Sequence, residues 1–239
     1  MSKIQVRRKQ TDGTSLATDG PDPFEAYANT VAPRTIIGTL LRFSKGDYVA
    51  GEEAKEVPEG STFTANVDEL LAGWVKWSGG KPVEHIMVRV AEGRTLPRRE
   101  ALGDSDVSHW EADSAGVPRD PWQFTNYLPL LDEQGGIFTF ATSSRGGLNA
   151  IGDLARRYAR HRRTGHRDVH PVIALDVGSY QHQNREYGRI KHPVFTPLGW
   201  APKDAFSDAL AAAGLAPVTE SARVSEETQA EEMSDEIPF

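Results

Sequence analysis

Ten basic residues lie between Arg145 and Lys191, against four acidic ones, Asp153, Asp168, Asp176 and Glu186. Cationic side chains at that density displace counterions from a phosphate backbone, so the stretch has the charge of a salt-dependent nucleic-acid binder. Arg156, Arg160 and Arg163 recur at i, i+4 and i+7, the spacing of one helical row. Such a row also suits a solvated face that offsets acidic charge elsewhere; the density favours phosphate contact.

Unpaired strands need aromatic faces for their bases as well as charge for their phosphates. Arg42-Phe43-Ser44-Lys45-Gly46-Asp47-Tyr48 mixes the two around a turn, and Trp74-Val75-Lys76-Trp77 sets a lysine between two tryptophans. Strand alternation gives Trp74 and Lys76 one face and Trp77 the other. Trp77, near the Gly79-Gly80 turn, is the one expected to be exposed. The expected DNA contacts are therefore Arg42, Phe43, Lys45, Tyr48, Lys76 and Trp77, joined by Arg145, Arg156, Arg160 and Arg163. A packing role accounts equally well for Phe43 and Tyr48. Trp110 and Trp122, in polar and loop-like text, are secondary candidates.

Catalytic chemistry has weaker support. Asp104, Asp106, Glu111 and Asp113 are close enough in sequence for a metal-dependent nuclease, but their context is that of a solvated acidic loop. His166, Asp168 and His170 alternate as on one strand face, with His161 nearby; the surrounding arginines favour structural or phosphate-facing roles over metal ligation. Gly146-Gly147 could present amides to a phosphate, yet no Gly-Lys-Ser/Thr follows to make a P-loop. The residues call for no enzyme activity, no cofactor and no metal. A nuclease, or an adaptor that never touches DNA, is the alternative.

The chain ends Asp235-Glu236-Ile237-Pro238-Phe239. Phe239 carries a ring and a free carboxylate on one residue, which an apolar slot with a basic lip would take. Pro238 restricts the chain before it, Ile237 adds an apolar contact, and Asp235 and Glu236 steer the tip toward a basic rim. This tip resembles that of bacterial single-stranded-DNA-binding proteins, which end in an acidic segment closed by Ile-Pro-Phe. It departs at Ser234, where an acid is usual, and at Glu236, where Asp is usual. The resemblance implies docking of replication and repair proteins, such as helicases, primase, exonuclease I or the clamp-loader chi subunit, on residues 235–239. It also implies a place in DNA replication, recombination or repair. The body lacks the family's opening-strand pattern. Phage and plasmid proteins of this function often share the OB-type barrel without sequence similarity, and the divergent body makes a phage, prophage or plasmid origin the expectation.

The elements that must position these residues are mostly strands. β-formers fill 35–43, 61–67, 70–77, 83–90, 122–131, 136–142, 172–177 and 194–200. Residues 92–123 are polar and turn-rich and read as a long insertion. Leu148, Ile151, Leu154, Ala155 and Tyr158 mark one clear helix over 148–163, and a shorter one is expected over 203–213. The predicted fold is mainly β (α+β): an OB-like barrel with insertions and one basic helix over 34–216, preceded by a flexible arm (1–33) and followed by a disordered acidic tail (217–239).

Bulk properties agree. The net charge is −7, but from Pro217 onward there are seven acids and a single base, Arg223, so the body is nearly balanced. The absence of cysteine excludes disulfides and thiolate chemistry. No apolar run approaches the roughly 20 residues of a membrane span, and a cytoplasmic protein is expected.

Overall fold

Thr62-Phe63-Thr64-Ala65 alternates polar and apolar, and as strand β4 (Thr62–Ala65) it buries Phe63 and Ala65 and leaves both threonines half-buried. The same logic builds the rest of the sheet in the computed structural model, which describes residues 36–112, 116–181 and 188–215. The expected N-terminal arm and the acidic tail lie outside the described residues.

Strand β1 (Thr39–Ser44) turns through Lys45-Gly46 into β2 (Asp47–Ala50), and β3 (Lys55–Val57) pairs with β2. Lys45 and Gly46 both take positive φ, 55° and 100°, the backbone of a two-residue hairpin turn. A second tight turn at Gly79-Gly80 joins β5 (Leu71–Ser78) to β6 (Lys81–Arg89). Strand β7 (Trp122–Asp132) is the hub. Its first half pairs with β5, its second half with β8 (Ile137–Thr142), and its end with β4. Helix α1 (Arg145–Arg163) follows β8. A long hairpin of β9 (Val169–Gln181) and β10 (Arg189–Pro202) comes next, then helix α2 (Asp204–Ala212).

The strands join in the order β10-β9-β4-β7-β8-β1-β2-β3, with β5 and β6 branching from β7. Among the described pairings only β1 with β8 is parallel. The sheet curls into a half-barrel. Tyr48 on β2 donates its hydroxyl to the carbonyls of Asp176 on β9, at 3.0 Å, and Val194 on β10, at 3.3 Å. One flank of the sheet is thereby bonded to the other. Leu41, Phe63, Leu130, Phe140, Leu175 and Phe195 fill the curl, and α1 closes it with Ile151, Leu154 and Tyr158. Each such side chain contributes about 1.5–3 kcal/mol by leaving water. The edge strand β10 carries Pro193, Pro197 and Pro202.

The mainly β, curled architecture is the expected one and is compatible with an OB-like barrel that has gained strands. Strands β2 and β3 were not expected. They are four and three residues long and depend on pairing with β1. Over its described residues the expected 92–123 insertion is not an open loop, and its last two residues, Trp122 and Gln123, begin β7. It holds short 3-10 turns and packs back on the sheet through Trp74, whose indole nitrogen donates to the Pro97 carbonyl at 2.9 Å.

Candidate nucleic-acid interface

Helix α1 starts where two glycines let it approach its neighbours. A Cβ on Gly147 would lie 2.0 Å from the Thr142 hydroxyl oxygen, and one on Gly146 2.8 Å from the His192 Cβ. The Gly147 amide is taken by the N-cap, Ser144, at 3.1 Å. Gly146-Gly147 thus serves close packing, and the amide at Gly147 is not left for a phosphate. This packing sets the helix beside β10 and leaves an open groove of about 730 Å³ between α1 and the β9–β10 hairpin.

The helix lines that groove with Arg145, Asn149, Arg156, Arg157 and Arg160, and the hairpin lines it with Tyr180 and His192. Arg156 pairs with Asp153 one turn earlier. Arg145, Arg157 and Arg160 are exposed and have no ionic or hydrogen-bonding partner among the described residues. Asp153 also lines the groove but is paired with Arg156, so the three guanidiniums give the concave site an excess of positive charge that would attract anions. On the opposite wall, Tyr180 is 51% exposed, and its ring centroid lies 5.8 Å from that of His192. The imidazole packs over Gly178, where a Cβ would sit 2.5 Å from Nε2. Its Nδ1 is buried and has no hydrogen-bond partner among the described residues.

A network at the far end of α1 holds the helix in place. Asp68 accepts from the Tyr158 hydroxyl at 2.9 Å and from Lys203, with Arg162 3.6 Å away. Burial opposes ionisation of Asp68, but the hydrogen bonds from Lys203 and Tyr158 outweigh it and hold the carboxyl below its ordinary range. His170, 3% exposed beneath this network, is pushed down to about 4 by burial, only partly offset by Asp68.

The expected contacts fall in three places. Arg145, Arg156 and Arg160 line the groove, while Arg163, the end of the predicted row, is exposed beyond it. Arg42 and Lys45 are exposed on the β1–β2 hairpin, and Phe43 is half-buried, edge-on to Tyr48 at 5.0 Å. Tyr48 corrects the expectation. It is 1% exposed, both bonds from its hydroxyl close the half-barrel, and burial drives its pKa upward, so its ring is core and no base can stack on it. Lys76 is engaged as well, 2.8 Å from Asp104 and over the Trp122 ring. Trp77 is half-buried, with its indole nitrogen enclosed. Trp122 is 4% exposed and donates to Asp104 at 3.0 Å, which removes it from the surface candidates.

Three of the carboxylates considered for a metal are occupied. Asp104 takes Lys76 and Trp122, Asp106 caps Ser108, and Glu111 accepts from the Gly79 amide at 2.9 Å. Asp113 and the tip residues 235–239 lie outside the described residues. Arg157, Tyr180 and His192 were missed. The groove face of α1 is broader than a single row, and the hairpin wall is 20 or more residues away in sequence. Among the described residues, no helix is long and apolar enough to cross a membrane. No protein family, no curated protein and no solved structure matches this chain.

Proposed function

We propose that the protein binds single-stranded DNA without strong sequence preference, in replication, recombination or repair, and recruits partner proteins through its C-terminal tip. The observation that carries the reading is the groove beside α1. Three arginines without partners among the described residues face an exposed tyrosine across a space too open and too polar for a typical apolar ligand pocket. Phosphates would lie along the helix and bases against the hairpin. The OB-like assignment of the half-barrel belongs to the same proposal, since such barrels commonly hold unpaired strands. The tip supports the second half through its chemistry: an aromatic ring on Phe239, with Ile237 and Pro238 beside it and Asp235 and Glu236 before it.

Titration with oligothymidine at low salt tests the first half. Affinity should fall steeply with added salt, with a log–log slope of about −0.7 per phosphate contacted. No binding would reject the reading, and metal-dependent loss of the oligonucleotide would replace it with a nuclease. Deleting Ile237 to Phe239 should abolish capture of replication and repair proteins while leaving the body folded. Undiminished capture would reject the docking role.

A further inference from the structure

At the other end of α1 lies a second aromatic surface. His161 stacks on Trp200 with ring centroids 3.6 Å apart and planes 9° apart, and His166 stacks on His161 at 4.6 Å and 15°. Trp200 is 39% exposed and His166 is exposed, its Nδ1 in contact with the Thr164 hydroxyl at 3.1 Å. Tyr158, which is buried, fills the space beneath Trp200.

The two aromatic surfaces are joined. Helix α1 has 19 residues, about 28 Å of axis. Beside it, the eight residue steps from His192 to Trp200 on β10 span about 26 Å. Arg157 lies one turn before His161 and next to Arg156, which is paired with Asp153, and Arg160 follows one turn after Arg156, so Arg157 and Arg160, without partners among the described residues, fill the interval between the Tyr180–His192 wall and the Trp200 stack.

We propose that α1 and β10 form a single polynucleotide track with a base-stacking platform at each end, Tyr180 with His192 at one and the Trp200–His161–His166 stack at the other. The inference rests on the single-strand reading above and specifies it. At the roughly 3.4 Å per nucleotide of a stacked strand, the track holds about eight nucleotides, and fewer when the strand is extended. Phosphates run along the arginines, and bases turn to the platforms. Single strands are favoured over duplex because the platforms need bases with a free face.

The test uses the full chain, oligothymidines of increasing length, and an abasic strand that offers phosphates alone. Affinity should rise with length and level off for one protein at about four to eight nucleotides. Tyr180→Ala and His166→Ala, both at exposed positions, should each weaken oligothymidine binding about tenfold while leaving the abasic strand unaffected. Tyr180→Phe should bind like the parent. Trp200→Phe should remove most of the tryptophan quenching that the oligonucleotide causes. If the parent chain binds oligothymidine but both alanine variants bind it equally well, the track is wrong and the single-strand reading stands. Equal weakening on thymidine and abasic strands would also overturn the platforms. If the parent chain ignores oligothymidine, both fail.

Discussion

Arginine does opposite things in two parts of this molecule. In the 92–121 insertion, Arg99 donates from Nε and Nη2 to Asp120, each at 2.7 Å, and from Nη1 to the Gly103 carbonyl at 2.7 Å; its side chain is 18% exposed. Along α1, Arg145, Arg157 and Arg160 are exposed and answer to no group among the described residues. The first guanidinium is consumed in organising backbone that lacks regular secondary structure. The others retain their charge and their donors for something outside the fold. A count of basic residues does not separate these roles. Local pairing does, because a cation already met by a carboxylate has little left for a phosphate.

The comparison breaks most visibly at Arg99. Arg99→Ala should cost about 2–3 kcal/mol, because it strands the Asp120 carboxylate and frees the segment that covers Trp74. Denaturant midpoints measure the loss, and the affinity of the remaining folded fraction for oligothymidine should stay the same. A variant of full stability would show that the insertion is held by other contacts.

Acid should act on the scaffold of α1 before it acts on the groove. The folded-state pKa of His170 is about 4, below its ordinary value of 6.5, so the unfolded chain binds the extra proton between those limits. Stability is therefore full above pH 6.5 and falls as the pH drops toward 4, by on the order of 3 kcal/mol. Asp68, whose pKa is also lowered, adds a further loss at still lower pH, below its ordinary value of 3.8. Urea midpoints at pH 7 and pH 5 should differ for the natural chain and differ less for His170→Asn.

The groove arginines should give the inverse of the Arg99 result. Arg157→Gln with Arg160→Gln should leave stability within about 0.5 kcal/mol, as expected for exposed side chains. Oligothymidine affinity should nevertheless drop about tenfold at low salt, and the salt slope should shrink by about 1.4 for two lost phosphate contacts. An unchanged slope would place the strand elsewhere on the surface.

Much of this architecture was legible in the sequence. Alternation located β4, β6 and β8, runs of β-formers located β5 and β7, and the apolar stripe through Ile151, Leu154 and Tyr158 located α1. Strands β2 and β3 escaped because a three- or four-residue strand has no periodicity of its own and forms only once β1 is there to pair with it. Tyr48 misled for a related reason. Basic and aromatic neighbours around a turn are what a DNA-binding loop needs, but the neighbours that decide its fate, Asp176 and Val194, are more than 120 residues away. The groove was half legible: its charge lies in a contiguous basic stretch, while its aromatic wall at Tyr180 and His192 depends on how the hairpin folds back along the helix.

The three prolines of β10 have a further consequence. The sheet is not closed, so its terminal strand would ordinarily offer a row of amide donors to any neighbouring chain. Pro193, Pro197 and Pro202 have no such donor, and the register shift between Pro197 and Gly199 breaks the regularity that a foreign strand would need. A second copy of the protein that approached this margin would find an edge that resists continuing the sheet, a guard against fusing into a fibre.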